Sequence, residues 1–295
     1  MKKTTENILK ITLGILILIL LYSKIGAYDI INNILKLDFF LVIALFLIYA
    51  LVRLMDGYNI YILIKCVDKN TKYLNLFKHY LYSWSIGMFL PSKIGELSLA
   101  YFLKEKIRPI KTLAIQLLDK SITIVILILI GLYGIYQMVS KERAILVAIL
   151  IVLCIPVSLL ILKFIKNKFQ KLKEKIEVFV QTLKDMSRNH KKEITLNFIV
   201  TIIKTIMMAL ITKIVFTRLD TDISILAIIT INAITMLTSL IPISISGLGI
   251  KQALGTYLYA LIGIAPAIAL TQYTVMIIFN YGTASIMASK ALIKR

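Results

Sequence analysis

Lys204 lies about ten residues into an apolar run, so at about 1.5 Å per residue it sits roughly 15 Å deep in a spanning helix. A lysine there does not snorkel easily to either surface, so it needs an acid, a water-filled cavity or an anionic ligand. Asn197, Thr201, Lys204, Thr205, Met208 and Thr212 follow three- and four-residue spacing, which turns one polar stripe inward. Asn232, Thr235, Thr238 and Ser239 repeat the pattern further on. Lys93 and Glu96 are three apart and share a helical face. Either they pair with each other, or Lys93 meets an anion while Glu96 orients Lys93 or a cation from another helix, such as Arg53. Arg53 and Asp56 repeat the spacing of three, and Asp119 adjoins Lys120. Asp56, Asp119 and Lys120 read as structural or coupling partners. Lys251 follows Gly249 at the start of a short helix, whose positive dipole end adds to its charge. Cations outnumber acids in this set, which suits an anionic substrate such as a phosphate-bearing headgroup.

The elements that must position these groups belong to a bilayer. Of the 295 residues, 59% are hydrophobic, and the mean hydropathy is +0.87; a soluble core of this size does not hide that much apolar surface. The net charge of +20 is the mark of lysine-rich cytoplasmic loops rather than of a nucleic-acid partner. Spanning helices are expected near Ile8–Tyr22, Phe39–Ile64, Thr112–Val139, Ala144–Ile165, Ile194–Phe216 and Ala265–Ser289. Leu74–Leu103 and Ile223–Gly263 are each too long for one helix. They are broken in the middle at Pro91 to Gly95 and at Pro242 to Gly249, with Gly247 inside the second break.

Loop charge sets the direction of each pair. Both flanks of Leu74–Leu103 are basic and those of Ile223–Gly263 are sparsely charged, so the first hairpin enters from the cytoplasm and the second from outside. A proline kink in one long tilted helix is the alternative, and it puts a basic flank on the wrong side. The expected fold is all-α and polytopic: six spans and two opposed re-entrant hairpins in an inverted-topology repeat, with both termini cytoplasmic. It forms one transporter-like domain over 1–295, with repeat halves at about 39–139 and 194–289 and an amphipathic cytoplasmic segment at about 166–192. Met1–Ala27 is expected to be an uncleaved anchor helix outside the repeat. Such repeats place their sites where broken helices approach near the midplane.

Other chemistry finds little support. Cys66, Cys154, His79 and His190 suggest no disulfide framework and no metal site. The acids are single and on separate elements, no nucleotide-binding loop is present and no cofactor is implied, so no enzyme is expected.

Three stretches, "FLPSKIGELSLAYFL" from Phe89, "LAIQLLDKS" from Leu113 and "LIPISISGLGIKQAL" from Leu240, together resemble the successive signatures of the lysylphosphatidylglycerol synthase transmembrane-region family. That family includes the flippase domain of the bacterial multiple peptide resistance factor and stand-alone membrane proteins. The resemblance implies movement of anionic or aminoacylated lipids, or of lipid-linked intermediates such as polyprenyl phosphates, across the cell membrane. It matches Pro91, Gly95, Glu96, Pro242, Ser244, Gly247 and Gly249 to two re-entrant pieces, which adds Ser244 to the expected binding residues Lys93, Glu96, Lys204, Lys251 and Arg53. The chain departs from the pattern at Ser98, Leu99 and Ala100, where an arginine is common, and at Gln252, where a glutamate is common. No soluble segment suits an aminoacyl transferase, so that chemistry is not carried over. The partners expected are membrane lipids, with a homo-oligomer or a lipid-modifying enzyme as further possibilities. A helper subunit of such an enzyme complex is the competing reading.

Overall fold

The computed structural model describes residues 2–91, 93–138, 140–142, 145–146, 148–149, 173–239 and 243–293. Its described part is all helical. Helix α1 (Lys2–Ile25) ends at Gly26, whose φ of 103° turns the chain into α2 (Ala27–Leu35). The bend is 85°. Asp38 then caps α3 (Phe39–Lys65) by accepting from the Leu41 amide at 2.9 Å. Helix α4 (Tyr73–Met88) runs into the first break, followed by a 3-10 turn at Ile94–Ser98 and one helical turn, α5 (Leu99–Phe102). Then come α6 (Pro109–Met138), α7 (Lys173–Asn189), α8 (Lys191–Arg218), α9 (Ile225–Thr238), α10 (Ile250–Leu261) and α11 (Pro266–Ile293).

Three of these, α3, α6 and α8, are long and apolar enough to cross a membrane, and the bent α1–α2 pair makes a fourth if it counts as one span. Helix α11 stands where Ala265–Ser289 is expected to span, but Thr271, Gln272 and Asn280 along it lower its apolar character. The expected span Ala144–Ile165 falls almost wholly outside the described residues, as do Pro242 and the first residues of the 166–192 segment.

Packing crosses the chain. Helix α3 lies along α8, α4 packs on α11, and α9 packs on α6. One apolar cluster joins Leu63, Trp84, Ile115 and Ala284; a second joins Phe216, Ile228, Tyr259 and Leu270. At the α8–α9 turn, Lys213 Nζ donates to Asp222 Oδ1 at 2.6 Å and to the Ile223 carbonyl at 2.7 Å. That hydrogen bond and the lysine charge hold the Asp222 carboxyl below its usual range.

Two contacts go beyond what the sequence suggests. Helix α1 contacts α10, and the Gly14 carbonyl lies where a side chain on Gly249 would stand, 2.5 Å from an ideal Cβ. Gly249 also holds φ at 81°, so both space and conformation demand glycine there. The segment before α8 is helical from Lys173. It packs against α6 and sinks Met186 completely into the first apolar cluster.

Candidate functional site

The two breaks meet. Pro91 and Ile245 form an isolated antiparallel bridge, and Ser246 Oγ donates to the Gly87 carbonyl at 3.0 Å. Among the described residues, each tip holds one non-glycine residue in the left-handed region, Lys93 at φ 55° and Ser246 at φ 49°. Such backbone strain persists only where the surroundings impose it, and it gathers at functional positions.

Side chains complete the first break. Ser83 Oγ donates to the Glu96 carbonyl and accepts from the Leu99 amide at 3.1 Å, while Gln116 Nε2 donates to the same Glu96 carbonyl at 2.8 Å. These bonds supply partners that a continuous helix would have given the backbone, which inside a bilayer is a requirement. At the second break, the Gly249 amide donates to Gln252 Oε1 at 2.7 Å. Gln252 therefore caps α10 through its side-chain oxygen.

Around the meeting point lies a cavity of about 180 Å³, with charged lining residues Arg53, Asp56, Lys93, Glu96, Lys120, Lys204 and Lys251. Five cations against two carboxylates leave an excess of three positive charges. The acids are committed. Lys204 Nζ is 2.9 Å from Asp56 Oδ1, and Arg53 approaches Asp56 Oδ2 at 3.3 Å. The Arg53 guanidinium also lies 5.0 Å from the Trp84 ring and 5.3 Å from the Tyr49 ring, a geometry that holds it by cation–π attraction. Lys120 Nζ meets Glu96 Oε2 at 2.6 Å. Glu96 thus orients neither Lys93 nor Arg53: its side chain reaches across to α6. Among the described residues, Lys93 and Lys251 have no carboxylate within 4 Å. Both are half-buried and both line the cavity.

The remaining expected residues divide. Lys204, Thr205, Met208 and Thr212 line the cavity, whereas Asn197 and Thr201 on the same stripe are buried in a separate polar joint. There, Asn197 Nδ2 donates to Asp119 Oδ1 at 2.9 Å and Asn59 Nδ2 to Thr201 Oγ1 at 2.8 Å, tying α3, α6 and α8 together. Asp119 serves that joint and does not face the cavity. Ser244 is fully buried behind the tip and is not a lining residue. Of the second stripe, Asn232 and Ser239 line the cavity. Tyr80, Trp84, Gln272 and Asn280 also line it and were missed by sequence reasoning, because an aromatic or amide in an apolar helix has no signal of its own.

Among curated proteins none matches this chain. The family described as Lysylphosphatidylglycerol synthase TM region matches residues 7–288, nearly the whole length.

Proposed function

The chain belongs to the lysylphosphatidylglycerol synthase transmembrane-region family of multi-pass membrane proteins, and from that premise we propose that it is a lipid flippase for an anionic, phosphate-bearing headgroup. The observation that carries this reading is the pair Lys93 and Lys251: two cations from opposite breaks, without carboxylate partners among the described residues, facing one cavity. Leaving cations unpaired in a low-dielectric site is costly, and an incoming anion removes that cost. The headgroup enters the cavity and meets Lys93, Lys251 and Lys204 while the acyl tails stay among the exposed apolar side chains of the outer surface, such as Leu129, Ile199 and Ile203.

The topology is part of the same proposal. Six spans and two opposed re-entrant hairpins form an inverted repeat with both termini cytoplasmic. The reciprocal packing supports it: the first helices of the halves pair as α3 with α8, and each hairpin's leading arm rests on the closing helix of the other half, α4 on α11 and α9 on α6. Rocking of one half against the other then exposes the cavity to alternate sides. The mechanism needs no covalent step, so we assign no enzymatic activity.

Inner-to-outer movement of labelled anionic lipids and polyprenyl phosphates in proteoliposomes tests the reading. Lys93→Ala and Lys251→Ala should each slow movement by about tenfold or more, the worth of a charge-assisted hydrogen bond. Unchanged rates in folded variants, or no movement of any of these lipids by the folded parent, would overturn it.

A further inference from the structure

A second cluster of chemically capable side chains lies away from the cavity, at the C-terminal end of α3 and the turn after it, near Lys65 and Lys69. Cys66 caps the C-terminus of α3, His190 is the residue between α7 and α8, and Glu193 stands in the first turn of α8. One ligand-type atom from each lies within 4.8 Å of the other two. The three line a common surface pocket with Tyr61, Lys65 and Lys69. We propose that this is a binding site for a zinc-type divalent ion, with Cys66, His190 and Glu193 as ligands and a fourth position open to solvent.

The donor set is the first argument. Thiolate, imidazole and carboxylate together suit zinc, whose catalytic and exchangeable sites commonly use three protein ligands. Bonds of about 2.0–2.3 Å in a tetrahedron separate ligand atoms by roughly 3.5 Å. Closing from 4.8 Å therefore takes a movement of about 1 Å, within the range of side-chain torsions.

The histidine environment is the second argument. His190 Nδ1 is 3.8 Å from Glu193 Oε2, on the side of a fellow ligand, and Nε2 is 3.8 Å from Asp185 Oδ2 on α7. With Nδ1 on the metal, Nε2–H points toward a carboxylate, the outer arrangement that fixes a ligating imidazole. The lysines are no obstacle: both are exposed, and Lys65 Nζ lies 5.5 Å over the Tyr61 ring. On binding, the Cys66 thiol gives up its hydrogen bond to the Ile62 carbonyl, 3.4 Å away, and releases its proton to solvent. The bound ion ties the end of α3 to the α7–α8 junction and fixes the angle between those two helices.

The test uses the full chain in detergent, purified without a metal-affinity tag, in a Cys154→Ser background that leaves Cys66 as the one thiol. Cobalt is the probe. One equivalent should bind with thiolate-to-cobalt charge-transfer absorption and be displaced by zinc. Cys66→Ser should abolish the band, and Asp185→Asn should keep it while weakening binding by about tenfold or more. As a readout independent of those variants folding, zinc should slow maleimide labelling of Cys66 in the otherwise unaltered chain. Absence of the band in the folded parent, its persistence in Cys66→Ser, or a labelling rate indifferent to zinc overturns the site.

Discussion

Asp56 stands between Lys204 at 2.9 Å and Arg53 at 3.3 Å, and it is the carboxylate that both of these cations use. Removing it strands two charges at a partly buried site, and breaking a buried pair from one side costs about 3–5 kcal/mol. Asp56→Asn should therefore lower the denaturation midpoint in detergent, and adding Lys204→Met should restore part of the loss, since the pair then disappears together. Equal stability in the single variant would show that the site holds these two charges without the carboxylate. Residue types in this site were legible before the fold: Arg53, Asp56, Lys93, Glu96, Lys120, Lys204 and Lys251 stand out because charge in an apolar chain is conspicuous. The Arg53–Asp56 pair was legible too, from its spacing of three, but the partners of Glu96 and Lys204 were not. Glu96 and Lys93 share a spacing that permits contact, yet the 3-10 turn beginning at Ile94 and the left-handed Lys93 re-aim both, so Glu96 reaches Lys120 instead.

At the scale of elements, the first hairpin depends on backbone contact between its arms. A Cβ on Gly95 would stand 2.6 Å from the Gly87 amide nitrogen and 2.6 Å from the Ile86 carbonyl carbon, where neither neighbour is a flexible side-chain end. Gly95→Ala should thus cost about 1–3 kcal/mol of stability, as overpacking does. Gly282→Ala on α11 is the matched control: nothing lies within 4 Å of its added methyl, and its stability should hold or rise. Thermal unfolding of both variants in detergent decides the matter. The positions of α3, α6 and α8 could be read within a few residues from apolar length alone. The short returning arm of the first hairpin and the bend at Gly26 could not, because both are set by what the chain packs against rather than by local composition.

For the whole molecule, the decisive measurement is which side of the membrane each loop faces. Asp220 and Arg108 are both exposed, so a cysteine at either position in a cysteine-free chain is sterically reachable. Under the proposed topology, an impermeant maleimide added outside labels the cysteine replacing Asp220 and misses the one replacing Arg108. Reversed labelling would invert the topology and remove the argument for opposed hairpins.

The rest of α4 on α11 also bears on how the molecule is made. Residues 73–88 leave the ribosome well before residues 266–293, which they must pack against. The gap is roughly 180 residues, or about 10–35 s at ordinary synthesis rates. Under the proposed topology, the first hairpin, with Lys93 and Glu96 at its tip, waits in the membrane during that time without its final neighbour. A chain stopped before Pro266 never acquires that neighbour, so the face of α4 that packs on α11 stays uncovered.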